Sequence, residues 1–358
     1  MKKRLLFTAY SLDVGGIEKS LINLLNNINY DKYEVTLILE KKEGMFLDKL
    51  NENVILKELK VSSLNFIPFR KIVNCGRKLI FSLKNKNKYD FSCCYATYSY
   101  SANKLALIGS KNSSLYVHSN YRDLYSKVEF CNFFNTRNID KFKHIIFVSN
   151  ESKNYFKELY PDLSDKLQVI NNFIDTDNIK KLSDEKIKIE KNKSNNLLVF
   201  VGRLDDSSKK LGRAINLVNK ISNIELWIIG DGQDKEMYRK MVSDNKLEQR
   251  VRFLGQKKNP YPFMKQADYI ILTSDYEGFP VTYLEALVLN KEIITTIPVS
   301  DDKIDIREYA YIISKDEEKM ASEVKEILKL PKRKNNISID QIQKERMIEL
   351  ESIFDEVI

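Results

Sequence analysis

Residues 269–289 read YIILTSDYEGFPVTYLEALVL. They begin with a short apolar run that ends in Thr273 and Ser274, the pattern of a buried strand over 269–274. A Gly-Phe-Pro turn follows. Apolar positions then recur every three to four residues, which predicts a helix over 280–289. Pro280 suits the first helical position, because its fixed φ fits there and its missing N–H is not needed. A strand that runs through a loop into a helix is half of a crossover unit. Repeated, such units build a parallel sheet with helices on both faces.

The same alternation extends in both directions. Downstream of residue 196, strands are expected at 197–202, 225–230, 251–255 and 292–296, with helices at 211–221, 234–245, 260–266 and 317–329. In the first half, strands are expected at 4–9, 33–40, 54–59, 91–98, 115–119, 144–149 and 167–170, with helices at 17–29, 126–138 and 151–160. Residues 180–196, KKLSDEKIKIEKNKSNN, interrupt the pattern with charge and no aromatic residue, as an exposed linker does. The expectation is an α/β chain of two Rossmann-like, doubly wound domains facing across a cleft. They cover 1–178, expected on the acceptor side, and 197–336, expected to bind the ligand of the motifs below, joined by a linker at 179–196. A last helical segment, about 337–358, packs back on the first domain.

Length and composition agree with this. A chain of 358 residues, 43% hydrophobic and 30% charged, suits two globular domains. No apolar run reaches the length of a membrane-spanning helix. Met1-Lys2-Lys3-Arg4 precedes an apolar run at 5–9 too short for a signal peptide, so that run reads as the first strand. Cys75, Cys93, Cys94 and Cys131 lack metal spacing and read as reduced thiols of a cytoplasmic protein. His118 and His144 are the only histidines, too few for a histidine-rich metal site. The net charge of +9 sits in the first half: 28 basic against 19 acidic residues over 1–180, and 31 of each over 181–358. The partner of the first domain is therefore expected to be anionic.

The candidate site residues fall on loops after strands, where ligands of such sheets bind. Glu277 and Glu285 are separated by seven residues, one in the loop and one along the helix. The free N–H groups of that helix start favour a diphosphate. The two carboxylates can then accept from hydroxyls on either side of it, as a nucleotide sugar offers. Gly202-Arg203-Leu204 follows another strand; Arg203 gives a planar fork for phosphate, and Lys209 or Lys210 a second positive charge. Together they can stabilise a diphosphate leaving group without a metal. Asp13-Val14-Gly15-Gly16 opens a helix with two glycines that allow close backbone approach. Gly230 and Gly232 can let a nucleobase pass, or serve only as a tight turn. His118 ends a strand at the cleft edge of the first sheet, whereas His144 begins one. Asp175-Thr176-Asp177 has a metal-binding spacing, but lies where the interdomain connection starts.

Taken together, these residues resemble the bacterial retaining glycosyltransferases of family 4, which have the GT-B fold. The resemblance runs from Gly15-Gly16-Ile17-Glu18 through Phe147-Val148-Ser149 and Asn259-Pro260-Tyr261-Pro262 to Glu285-Ala286-Leu287. It implies that Arg203 and Lys209 bind the donor diphosphate, although Lys209 and Lys210 could be exchanged. It implies that Glu285 holds the ribose and Glu277 the donor sugar, and that Gly16 approaches the phosphate. Gly202, Gly278, Phe279 and Pro280 complete the donor motifs, and His118 matches a strand-end histidine near the transferred sugar. Asp175 matches an aspartate of the family's connecting segment. The implied activity is metal-independent transfer with retention, by front-face attack, in capsule, exopolysaccharide or lipopolysaccharide synthesis. One departure stands out: residues 293–314 contain no glycine where the family has a glycine loop.

Residues 60–88 carry eight basic residues and no acidic one. Phe69, Ile72, Val73, Leu79, Ile80 and Leu83 have helical spacing there, with Arg70, Lys71, Arg77, Lys78 and Lys84 between them. A basic amphipathic helix suits an anionic membrane surface, here the inner face of the cell membrane beside a lipid-linked or oligosaccharide acceptor. A nicotinamide-dependent oxidoreductase is disfavoured, because the G-x-G-x-x-G fingerprint is absent. Nothing resembles a nucleic-acid module. The remaining competitor is a degenerate transferase that acts as a nucleotide-sugar-binding or membrane-associated scaffold.

Overall fold

The computed structural model describes residues 1–13, 15–59, 67–333 and 335–356, apart from the side chains of 67–71 and 78. The chain forms two compact units. One is Met1–Ile174 with Gln341–Ile358, and the other is Asp175–Asp340. The stretch read as a linker, 179–196, falls in the second unit.

The first unit holds seven parallel strands: β1 (Lys3–Ala9), β2 (Tyr33–Leu39), β3 (Ile55–Glu58), β4 (Phe91–Cys94), β5 (Ser113–Val117), β6 (His144–Phe147) and β7 (Leu167–Val169). Their order is β3-β2-β1-β4-β5-β6-β7. Leu5 of β1 pairs with Val35 on one side and Phe91 on the other. Leu5, Leu6 and Phe7 have no exposure at all, as expected of a strand covered on both faces. Helices α1 (Gly16–Asn27), α2 (Ile67–Asn85), α3 (Tyr100–Gly109), α4 (Lys127–Asn135) and α5 (Asn150–Leu159) cover it.

The second unit begins with α6 (Thr176–Ser183). Its strands are β8 (Asn196–Val201), β9 (Ile224–Ile229), β10 (Val251–Gly255), β11 (Tyr269–Leu272), β12 (Glu292–Thr295) and β13 (Ala310–Ile312). They are parallel, in the order β10-β9-β8-β11-β12-β13. Helices α7 (Leu211–Lys220), α8 (Lys235–Asp244), α9 (Tyr261–Gln266), α10 (Val281–Val288) and α11 (Glu317–Ile327) flank the sheet. The last helix, α12 (Ile339–Asp355), ends within the first unit. There Phe354 packs 4.7 Å from the Phe91 ring and 5.6 Å from Tyr33, and Asn112 donates to the Ile353 carbonyl at 2.8 Å.

Four elements differ from the sequence reading. The strand expected at 91–98 stops at Cys94, because residues 95–99 turn into α3, which Ser99 caps by accepting from Ala102 N–H. The α3 residues Leu105, Ala106, Leu107 and Ile108 are a continuous apolar run, whose period cannot separate helix from strand. Running into the expected linker, α6 forms because Asp175 caps it and Ile179 is buried. That capping is the role the structure shows for the Asp-Thr-Asp stretch. Strand β13 was not foreseen, since three residues give too little alternation to read. Finally, the glycine-free region closes its turn with a side chain: Asp301 Oδ1 accepts from the backbone N–H of Lys303 and Ile304, each at 2.7 Å.

All four cysteines are free, with Cys93 and Cys94 fully buried. Among the described residues, no helix is long and apolar enough to cross a membrane.

Candidate active site

In the second sheet the strand order reverses between β8 and β11. Ligands of doubly wound sheets sit beyond the carboxyl ends of the strands at such a point. The loop after β8 carries Gly202, Arg203, Lys209 and Lys210; the loop after β11 carries Ser274, Asp275 and Glu277. They meet across the reversal. Lys209 Nζ lies 2.5 Å from Glu277 Oε1, which also accepts from the Ser274 hydroxyl at 2.7 Å. The Lys209 and Glu277 side chains are 17% and 12% exposed, so the pair is partly desolvated yet still reachable. The two lysines diverge here. Lys210 adopts φ 48° at the start of α7 and pairs with Asp206 at 3.2 Å.

Arg203 is exposed on the same loop. Its charge acts on Asp205, whose carboxyl lies below its ordinary range. Burial works against that shift, but hydrogen bonds from Ser207 and Ser208 and the positive Arg203 outweigh it. The Glu277 loop is braced from outside. Arg213 donates to Asp275 Oδ1 at 2.7 Å and to the Thr273 carbonyl at 3.0 Å, and Lys315 donates to the Asp275 carbonyl at 2.6 Å.

Gly278, Phe279 and Pro280 are buried, and α10 begins at Val281, one residue after the expected start. Glu285 is also buried, at 2% exposure, and the Tyr261 hydroxyl donates to its Oε1 at 3.3 Å. Gly230 has φ +147°, and a Cβ there would run into the Gly202 carbonyl. A Cβ at Gly232 would meet the Leu204 backbone in the same way. These two glycines thus let the loop after β9 pack against the loop carrying Arg203.

In the first unit, Gly15 precedes α1 in extended conformation and Gly16 opens the helix. Val14 of that motif lies outside the described residues. His118 follows β5 directly. Its Nδ1 is 3.0 Å from Asn172 Oδ1, and its ring stacks on Tyr116 with centroids 4.6 Å apart. Because the Asn172 carbonyl accepts, Nδ1 carries the proton and Nε2 presents a lone pair. Nε2 is buried and has no hydrogen-bond partner among the described residues. Burial lowers the His118 pKa from 6.5 to about 3, with the Asn172 bond opposing, so the imidazole is neutral. His144 sits at the other end of the sheet, its Nε2 3.2 Å from Glu356.

Of the basic surface, Arg77 is half-buried, while the side chains of Arg70, Lys71 and Lys78 lie outside the described residues. On α2, Ile72, Leu79, Ile80 and Leu83 are all exposed, the last at 79%. A Cβ at Gly76 would meet open space. These five positions form one outward stripe at helical spacing.

Spacing did not reveal Ser274, Asp275, Arg213, Lys315 or Tyr261. Only Ser274 and Asp275, three and two residues before Glu277, are close enough in sequence to have been noticed. The others depend on contacts between distant segments.

Comparison with known proteins agrees with this geometry. Residues 14–178 match the family described as Glycosyltransferase Family 4, and residues 183–344 the one described as Glycosyl transferases group 1. A Campylobacter jejuni N-acetylgalactosamine-N,N'-diacetylbacillosaminyl-diphospho-undecaprenol 4-alpha-N-acetylgalactosaminyltransferase is 25% identical over 306 residues, 80% of this chain and 79% of its own length. An uncharacterised glycosyltransferase of Methanocaldococcus jannaschii is 30% identical over 163 residues, 44% of this chain and 40% of its own. Among solved structures, Anabaena HepE in complex with UDP-glucose superposes with a TM-score of 0.68 at 16% identity, covering 98% of this chain and 100% of that one. A glycosyltransferase of Rickettsia africae gives 0.74 at 18% identity, covering 99% and 100%. At these identities the structural likeness is one of fold. Consecutive matches to both family descriptions, on two parallel α/β units of this fold, place the chain among the GT-B glycosyltransferases.

Proposed function

We propose that the chain moves a sugar from a nucleotide-diphosphate sugar, read here as a UDP-sugar, to a lipid-linked or oligosaccharide acceptor in bacterial surface-polysaccharide synthesis. The observation that carries this reading is the Lys209–Glu277 contact across the strand-order reversal, with Arg203 on the same loop. A cation and a carboxylate there match the two ends of a sugar diphosphate. In this reading Arg203 and Lys209 meet the charge that develops on the leaving diphosphate, a task that needs no metal. Glu277, freed from Lys209, accepts from donor-sugar hydroxyls. Glu285 takes the ribose once Tyr261 gives up its bond. The neutral His118 Nε2 accepts a hydrogen bond from the transferred sugar. Transfer with retention follows by front-face attack, the leaving phosphate taking the acceptor proton.

The same reading places the enzyme at the inner face of the cell membrane. The outward stripe of α2, set in a stretch of eight basic residues and no acidic one, supports docking on anionic lipid. The Campylobacter relative is named for a diphospho-undecaprenol substrate, which fits that surface.

A thermal-shift series with UDP, ADP, GDP and UDP-sugars tests the donor assignment, since a bound donor raises the melting temperature by mass action. UDP-sugars are expected to shift it. No shift with any of these ligands at millimolar concentration would sink the reading. Slow hydrolysis of the bound donor separates a working transferase from a scaffold.

A further inference from the structure

The first sheet has a reversal point of its own, between β1 and β4. Two rings stand at it. Tyr10 follows β1 directly and Tyr98 lies in the turn after β4. Their centroids are 6.3 Å apart at 61°. Tyr98 keeps 42% of its surface exposed, yet its hydroxyl is tied, donating to Glu18 Oε1 at 3.1 Å. Burial of that end and the neighbouring Glu18 carboxylate raise the phenol pKa. The ring is therefore open while the polar tip is enclosed.

The turn that carries Tyr98 is held on several sides. Arg137 donates from Nε to the Thr97 carbonyl at 2.7 Å and from a terminal nitrogen to the Tyr98 carbonyl at 3.2 Å. Its guanidinium stacks 3.5 Å from the Phe133 ring centroid. Asn103 donates to the Thr97 and Ser99 carbonyls, at 3.2 and 2.5 Å. The Thr97 hydroxyl donates to the Tyr116 carbonyl. An exposed aromatic ring on a fixed backbone loses little freedom when something packs on it, the condition for a binding anchor.

The neighbouring groups point the same way. The Glu18 carboxylate lies over the start of α1, in the space a Cβ at Gly15 would occupy. Tyr95, which begins the same turn, packs 4.4 Å from His118. That histidine is 8% exposed, and its Nε2 lone pair has no partner among the described residues.

We propose that this corner is an acceptor-sugar subsite, in which a pyranose ring stacks its C–H face on Tyr98 and its hydroxyls donate to Glu18. A ring face with partial negative charge attracts the polarised C–H bonds of a sugar. An ionised carboxylate only accepts, so it suits hydroxyl donors and repels a phosphate. The group recognised is thus a neutral sugar, not an acceptor's phosphate. The proposal rests on the reading of the chain as a sugar transferase and adds what the acceptor must present.

The test uses the full chain with UDP present and three probes: the methyl glycosides of glucose, galactose and N-acetylgalactosamine. Saturation-transfer NMR is expected to show at least one binding through protons of a single ring face. Tyr98→Ala should weaken it about tenfold, the scale of one aromatic contact. Tyr98→Phe should stay close to wild type, and Glu18→Gln should weaken binding without removing the stacking signal. Thermal melts confirm that each variant folds, and the UDP-induced shift serves as the donor control. Equal binding by Tyr98→Ala and wild type overturns the subsite, as does absence of binding by all three probes while the UDP shift is intact. Tyr98-dependent glycoside binding without a UDP shift would leave the subsite standing and remove the donor reading instead.

Discussion

Lys209 Nζ and Glu277 Oε1 are 2.5 Å apart although 68 residues separate them in the chain. Adjacency of β8 and β11 in the sheet brings their loops together. A partly buried ion pair of this kind costs desolvation that its own attraction only partly repays. In the function proposed above, the two groups are held ready for a ligand that takes both, and this leads to the first prediction.

Glu277→Ala and Arg203→Ala should each lower transfer by about 10²–10³-fold, the scale of one lost electrostatic stabiliser. Both should melt near the wild-type temperature, since neither side chain fills the core. Lys209→Met should match them, whereas Lys210→Met should lose far less, because Lys210 is engaged with Asp206. Initial rates with a radiolabelled donor decide it. Wild-type turnover in Glu277→Ala or Arg203→Ala would remove the assignment.

His118 should remain neutral through the physiological range and well below it. With two histidines in the chain, a ¹⁵N-ring NMR titration can follow each. The His118 signal is expected to stay in its neutral form down to about pH 4, with the proton on Nδ1. The folded pKa lies below the unfolded value of 6.5, so the unfolded chain binds the extra proton first. The group's contribution is therefore complete above pH 6.5 and is lost as pH falls towards 3. The loss is about 1.4 kcal/mol per unit within that window. His118→Gln should flatten that part of the stability–pH curve. A midpoint near 6.5 for His118 would contradict the buried, neutral assignment.

Gly230→Ala should destabilise the second unit by about 2–4 kcal/mol, because the new Cβ meets a carbonyl and φ is positive. Gly255→Ala, with φ +70° but open space around it, should cost about 1 kcal/mol. Urea denaturation of the two variants compares them. Equal losses would mean that backbone strain alone, and not the loop contact, sets the cost.

Leu79→Glu with Leu83→Glu should reduce co-sedimentation with phosphatidylglycerol vesicles and leave the melting temperature unchanged, since both side chains face outward. Charge reversal at Lys71, Arg77 and Lys78 should weaken the same binding by about fivefold per charge, and raised salt should do likewise. Unchanged vesicle binding in both variants would detach α2 from the membrane.

Most of the fold was legible because its signals are local. Apolar runs such as 197–201 and 269–272 mark strands, and helix periods such as that of α7 are read within one segment. The misses have local causes too. The apolar run of α3 obscured its period, and β13 is only three residues long. That Arg203 and Glu277 lie on loops of the second sheet was also legible, since each follows an expected strand. The internal contacts of the site were not, because Arg213, Lys315 and Tyr261 act across 62, 40 and 24 residues.

By itself, the sequence determined two doubly wound α/β units with their polar motifs on the loops after strands, because short-range periodicity and turn chemistry suffice for that. Only the tertiary structure decided that Lys209 and not Lys210 meets Glu277, that Glu285 lies behind Tyr261, that His118 is neutral with a free lone pair, and that Tyr98 stands open beside Glu18. Each of these depends on which strands become neighbours and on how deeply a side chain is taken from water. Crossovers and packing settle both over the whole chain, and no local stretch of residues encodes them.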